Sequence, residues 1–260
     1  FMARLKIVKK DAGSGSTIRI PGAEFTVTDL ETGERIVQET SYPSKEKHDS
    51  FFTNEEGFLL LPEELPPGKY RIEEVAAPEG YLLSKNAIDV EIAPDKAYQT
   101  DTASGEVIVE IVCEDIPVTG RIAVKKTGRM LEAFEEDFLY DEKAMEGVVF
   151  EVVAGEDVLS PDGQAGGEGH KVLYQKGTVV DEIVTDEHGY GSVDGLPLGT
   201  YLLREKQAPF GFVKDADGIE AVLAYVDGQT PVVEWEKEIE NVRQQLEVEV
   251  IKTDRESGKP

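Results

Sequence analysis

Residues 57–81 read G-F-L-L-L-P-E-E-L-P-P-G-K-Y-R-I-E-E-V-A-A-P-E-G-Y, and residues 189–212 read G-Y-G-S-V-D-G-L-P-L-G-T-Y-L-L-R-E-K-Q-A-P-F-G-F. The two stretches share the pattern L-P-x-G-x-Y-x-[IL]-x-E-x-x-A-P-x-G-[YF]. A chain that carries the same long box twice is built of repeats, and the repeat extends outward from the box. Upstream, Gly22-Ala23-Glu24-Phe25-Thr26-Val27 matches Gly147-Val148-Val149-Phe150-Glu151-Val152. Each copy opens with an alternating strand that ends in lysine, Leu5-x-Ile7-x-Lys9 and Ile122-x-Val124-x-Lys126. A third opening follows, Leu246-x-Val248-x-Val250-x-Lys252-x-Asp254. Lysines at 9, 126 and 252 mark a domain-sized period, which predicts a tandem array of modules rather than a solenoid. The expected organisation is a first module over residues 1–118, a second over 119–243, and the first strand of a truncated third over 244–260.

Period-2 alternation dominates each copy. Tyr70, Ile72 and Glu74 share one face of a strand, as do Tyr201, Leu203 and Glu205. Near the module ends Val107, Val109, Ile111, Cys113 and Asp115 share a face, and so do Val233, Trp235, Ile239 and Asn241. Antiparallel sheets with one wet face produce this pattern, and short strands between Gly/Pro turns predict β-sandwiches. Residues 129–145 mix Leu131, Phe134, Phe138 and Tyr140 with acids at helical spacing, which predicts a small helical insertion in the second module. Residues 117–120 and 242–245 read as short linkers, which favour a semi-rigid rod.

Composition narrows the function. The 260 residues carry 53 acidic against 27 basic side chains, a net charge of −26, which repels nucleic acid and anionic membranes. No apolar run approaches the roughly 20 residues that span a bilayer. A single cysteine, Cys113, rules out an intrachain disulfide, so an extracellular chain would need another staple. His48, His170 and His188 have no spacing that makes a metal site or a triad. Asp215-Ala216-Asp217-Gly218 lacks the later glutamate of a calcium loop and reads as a turn. Neither a cofactor motif nor turnover chemistry is expected.

The unusual feature is polar residues on inward faces. Lys9 follows Leu5 and Ile7, Lys126 follows Ile122 and Val124, Glu74 and Glu205 follow the box tyrosines, and Asp115 and Asn241 end the last apolar faces. Burying ionisable groups is costly unless they are paired. Burial disfavours the charged ammonium, and the neutral amine is a nucleophile. A nearby carboxamide or protonated carboxyl is then open to attack, giving an amide and releasing ammonia or water. A buried glutamic acid with a raised pKa is suited to polarising the carbonyl and moving the proton. Such a reaction happens once.

With these residues in view, the chain resembles the Cna B-type domains, the SpaA-like or prealbumin-like modules of Gram-positive pilins and surface adhesins. The resemblance rests on Lys9-Lys10-Asp11 and Lys252-Thr253-Asp254, the Gly-Ala-Glu-Phe segment, and both E-x-x-A-P-x-G-[YF] boxes. It implies an all-β fold of two tandem inverse-immunoglobulin-like sandwiches, each with an isopeptide bond between its first and last strands. It further implies Lys9, Glu74 and Asp115 as lysine, acid and acceptor in the first module, and Lys126, Glu205 and Asn241 in the second. Asp115 stands where such modules more often carry Asn. In the second module Thr127 and Gly128 follow Lys126, and neighbouring Lys125 leaves the register open; sharing the face of Ile122 and Val124 favours Lys126. Lys10, Lys125 and Glu73 are expected to point outward.

The function implied is a structural stalk or pilin-like segment on the wall of a Gram-positive bacterium, a monomer partnered by its neighbouring modules. Two alternatives compete: an adhesin module that contacts host protein or glycan through residues 129–145 or 160–169, and a spacer in a larger secreted enzyme.

Overall fold

A computed structural model describes residues 1–41, 43–134, 138–163, 171–214, 217–253 and 255–256. Of the features read above, His170, Asp215, Asp254 and most of the 160–169 loop lie outside the described residues. Among those described the protein is all-β, with no helix.

The N-terminal sandwich contains β1 (Arg4–Asp11), β2 (Glu24–Asp29), β3 (Gln38–Thr40), β4 (Glu46–His48), β5 (Phe51–Phe52), β6 (Phe58–Leu60), β7 (Gly68–Ala76), β8 (Ile88–Ile92), β9 (Gln99–Thr100) and β10 (Val107–Asp115). Its two sheets run β6-β1-β10-β9 and β5-β2-β7-β8, and β3 and β4 form a side hairpin. The C-terminal sandwich contains β11 (Thr119–Phe134), β12 (Phe138–Ala144), β13 (Val149–Ala154), β14 (Val158–Leu159), β15 (Val172–Tyr174), β16 (Val179–Val184), β17 (Tyr190–Pro197), β18 (Gly199–Glu205), β19 (Ile219–Leu223) and β20 (Val232–Asn241). There β11 pairs with β12, β17 and β20, facing the sheet β16-β13-β18-β19.

In both sandwiches the first and last strands lie side by side and parallel. Leu5, Ile7, Phe25, Tyr70, Ile72 and Val109 fill the first core, and Ile122, Val124, Phe150, Tyr201, Leu203 and Ile239 the second. On the wet face the first strand is basic and the last acidic. Arg4 pairs with Glu106, Lys6 with Glu110, and Lys125 with Glu238, each at 2.9–3.0 Å. These cross-strand pairs are individually weak, but they match opposite charges along the pairing and give a place to the acidic run around Glu238.

The box has a local physical logic. Its tyrosine hydroxyl donates back to the proline carbonyl four residues earlier, Tyr70 to Pro66 at 2.9 Å and Tyr201 to Pro197 at 2.7 Å. A buried tyrosine thus satisfies its polar end without water. The A-P-x-G-[YF] end is a turn: Tyr81 N–H donates to Pro78 O and Phe212 N–H to Pro209 O. Gly80 (φ 91°) and Gly211 (φ 84°) supply the positive φ that a type II turn requires at its third residue.

The expected helix at 129–145 is not formed among its described residues, which leave out 135–137. Residues 129–134 continue β11 and residues 138–144 form β12, pairing Leu131 with Tyr140 and Phe134 with Phe138. Extending a strand already registered in a sheet avoids the cost of nucleating a helix.

The two sandwiches meet end to end. Arg19 N–H donates to Asp162 O at 2.6 Å, Leu83 N–H to Gly228 O at 2.8 Å, and the Tyr225 hydroxyl to Tyr81 O at 3.2 Å. A cleft of about 650 Å³ lies between them, lined by Ile20, Glu79, Pro117, Pro161, Leu198 and Tyr225 among others. The chain leaving β10 is pinned to the box turn, with Val118 N–H on Gly80 O and Leu82 N–H on Ile116 O, both 2.9 Å.

Candidate functional site

Each sandwich places one lysine, one glutamate and one Asp or Asn together in its interior. Lys9 comes from the first strand and Asp115 from the last, in one sheet, while Glu74 crosses from the facing sheet. Lys9 is directly opposite Cys113 in the parallel register, and its side chain reaches Asp115 two residues further on. Lys126 likewise lies opposite Ile239 and reaches Asn241. The backbone of each lysine is tied down in the same way: Lys9 N–H donates to Gly57 O at 2.9 Å, and Lys126 N–H to Gly189 O at 2.7 Å. Both glycines have positive φ, and a Cβ on Gly189 would sit 2.4 Å from Lys126 O.

In the first sandwich Lys9 Nζ is 2.5 Å from Asp115 Oδ1 and 2.9 Å from Glu74 Oε1. All three side chains are at most 2% exposed. Ser84 N–H donates to Glu74 Oε2 at 2.9 Å. Burial pushes the Glu74 carboxyl from its ordinary 4.5 up to about 7, with Lys9 opposing and Asp115 reinforcing the shift. Burial raises the Asp115 carboxyl as well, again against the pull of Lys9. Cys113, on the same face, is raised to about 11 by burial, which keeps it a thiol. Two carboxyls and one amine in so dry a place cannot all be charged at low cost, so at least one proton is shared among them.

The second sandwich has the same parts in a different order. Lys126 Nζ donates to Asn241 Oδ1 at 2.6 Å, and Asn241 Nδ2 donates to Glu205 Oε1 at 2.8 Å. Lys126, Glu205 and Asn241 are 0%, 2% and 3% exposed. Glu205 accepts from the amide nitrogen here, while Glu74 contacts the Lys9 nitrogen and also hydrogen-bonds with Asp115. Lys125 is on the outer face in its pair with Glu238, Lys10 is partly exposed, and Glu73 is exposed.

Sequence reasoning assigned no role to three neighbours. The rings of Phe25 and Phe150 lie 5.4 and 5.7 Å from the lysine nitrogens and wall them from water. Asp11 is buried beside Asp115 and accepts the Tyr81 hydroxyl at 2.8 Å and the N–H groups of Gly13 and Ser14. The alternation that picked out Lys9 continues to Asp11 and carried the signal. The second sandwich changes both partners together, to Gly128 and Phe212. There the glycine has room only for hydrogen, because a Cβ would lie 2.9 Å from the Phe212 ring and 2.6 Å from Met145 Sδ.

A search of the curated proteins found no match. Among solved structures, the Bacillus anthracis TIE protein matches with TM-score 0.55 and 20% identity, over 93% of this chain and 34% of that one. A streptococcal ancillary pilin matches at 20% identity over 91% and 62% of the two chains, with TM-score 0.35. GBS52, the minor pilin of Streptococcus agalactiae, matches at 16% identity over 96% and 100%, with TM-score 0.33. This chain thus spans about a third of the TIE protein. The model of the prealbumin-like fold domain SpaA matches residues 3–106 and again 139–239, most of the sequence. The chain belongs to the SpaA family of prealbumin-like fold domains.

Proposed function

We propose that this chain is a load-bearing stalk segment of a Gram-positive cell-surface protein, in which each sandwich joins its own first and last strands by an isopeptide bond. The observation that carries this reading is the buried contact of a first-strand lysine with a last-strand Asp or Asn, attended by a glutamate from the other sheet. The modules are taken as residues 1–118 and 119–243, with a third opening in 244–260.

In the first module the Lys9 amine attacks Asp115 Cγ. The Nζ–Cγ bond forms, the Cγ–O bond breaks, and water leaves. Glu74, touching Nζ, takes the proton that nitrogen sheds and returns it to the departing oxygen. In the second module Lys126 attacks Asn241 Cγ, the Nζ–Cγ bond forms and the Cγ–Nδ2 bond breaks, and Glu205, touching Nδ2, passes the proton that Nζ sheds to the departing ammonia. The fold holds the reacting groups in contact, so proximity supplies much of the rate.

Parallel first and last strands put the chain's entry and exit at opposite ends of the module, so tension runs along β1 and β10. A bond between them carries that tension directly, which suits an extracellular stalk whose lone cysteine offers no intrachain disulfide. Intact-protein mass spectrometry tests the reading. The expected mass is one water and one ammonia below that of the sequence, and an unmodified mass refutes it.

A further inference from the structure

The way the second sandwich ends repeats the way the first one ends. Gln244 N–H donates to Gly211 O at 2.9 Å and Val213 N–H to Val242 O at 2.8 Å, reproducing the bonds of Val118 with Gly80 and Leu82 with Ile116. The isolated bridge of Tyr81 with Pro117 recurs as Phe212 with Arg243. Lys126 follows Asp115 by eleven positions, and Lys252 follows Asn241 by the same eleven. The chain therefore leaves the second sandwich along the path on which it left the first.

At the first joint that path leads to a docked neighbour. The neighbour bonds Tyr81 O and Leu83 N–H, packs against the turn that bears Glu79, and meets the β1–β2 connection at Arg19 and Ile20. Among the described residues no sandwich is docked on the corresponding surface of the second one. Phe212 O and Lys214 N–H occupy the places of Tyr81 O and Leu83 N–H. Phe210 occupies the place of Glu79 and is fully exposed. The counterpart of the β1–β2 connection here runs from β11 to β13 and contains β12, with Phe134 and Phe138 in ring contact and 65% and 60% exposed. Arg243 of the linker lies over the Tyr140 ring at 4.5 Å and donates to Arg129 O at 3.0 Å, which ties β11 and β12 to the chain's exit. Beyond it Leu246, Val248 and Val250 stand exposed on one face of a strand pattern.

We propose that this end of the second sandwich is the docking surface for a further β-sandwich of the same family, whose first strand is residues 246–252, with Phe210, Phe134 and Phe138 as its seat. The occupant is set by continuity with the first joint: the same pins, the same spacing and the same three contributing segments. The proposal rests on the reading that a third module opens at Leu246, and it gives Phe134 and Phe138 an inter-module role in place of ligand capture.

The test replaces residues 246–260 with a second copy of residues 120–243, which preserves the eleven-residue spacing and offers the docking face that the second sandwich already uses. Trypsin cleavage after Arg243 of the first copy is followed by mass spectrometry. Docking shields this linker, so cleavage is expected to slow by about ten-fold or more relative to the 260-residue chain. Phe210→Asp in the first copy, at an exposed position, is expected to restore the faster rate, and so is the pair Phe134→Ser and Phe138→Ser. Equal cleavage in the extended and original chains overturns the proposal, as does a slow rate that neither variant relieves. The masses of the same samples report the isopeptide bonds separately, so failure of the joint is distinguishable from failure of the cross-link.

Discussion

Glu74→Gln isolates the chemistry of the first module. The amide keeps the size of the side chain and an oxygen for Ser84 N–H, and it leaves Lys9 and Asp115 as a balanced pair, so no buried charge is orphaned. What it removes is the acid. The expected product is one water heavier than the parent protein, with the second module unchanged. The lost cross-link joins residues 9 and 115 and closes a loop of about a hundred residues, which in the chain-entropy picture is worth about 4.7 kcal/mol. A module of this size unfolds with an entropy near 0.24 kcal/mol/K, so its transition is expected to fall by roughly 20 °C. Scanning calorimetry of the whole chain reads this directly, with the second module as internal control. A variant that gains the water yet melts within about 5 °C of the parent refutes the loop-entropy reasoning. One with the parent's mass refutes the role of Glu74.

Three further outcomes follow from the geometry. Asp115→Asn is expected still to cross-link, because Asn241 occupies the equivalent place, but the first module then releases ammonia, so the total deficit becomes two ammonias by mass. Burial raises both Glu74 and Asp115, so before the bond forms the fold holds protons that the unfolded chain gives up. The contribution of Glu74 to stability is complete below about pH 4.5 and is lost as pH rises through about 7, and that of Asp115 is lost in the same direction. Water loss in chain folded from the unfolded state at stepped pH should accordingly slow above pH 7, and a rate that climbs steadily to pH 9 contradicts this. Gly189→Ala forces an L side chain into positive φ against Lys126 O, costing about 1–3 kcal/mol from backbone strain alone. It should lower the melting of the second module and slow its ammonia loss, and unchanged melting counts against that backbone lock.

The sandwiches and the three polar positions in each were legible because strand alternation is a local signal. A lysine two residues beyond two buried aliphatics must share their face, and Lys9 and Lys126 do. The strand pairing at 129–145 was not legible for a definite reason. Phe134 and Phe138 are four apart, which makes them neighbours on a helix, and the same spacing suits partners on two antiparallel strands. Spacing cannot separate the two; only the sheet that β11 already belongs to can. The joint was hidden for a different cause. Bonds such as Leu83 with Gly228 and Arg19 with Asp162 run between backbone groups far apart in the chain, and backbone groups carry no residue code. Asp11 was visible within the Lys9-Lys10-Asp11 motif, but its partner Tyr81 is seventy residues away.

A bond across the parallel contact of β1 with β10, as proposed above, also sets how far the protein can be drawn out. With Lys9 bonded to Asp115, residues 10–114 form a closed side loop, and an end-to-end pull is transmitted past them. At about 3.4 Å per extended residue that loop stores roughly 350 Å of chain in the first module alone. None of it is released under tension, and the loop of the second module is of similar length. In the cross-linked form proposed, a row of modules lengthens only through its short linkers and acts as a tether of fixed reach.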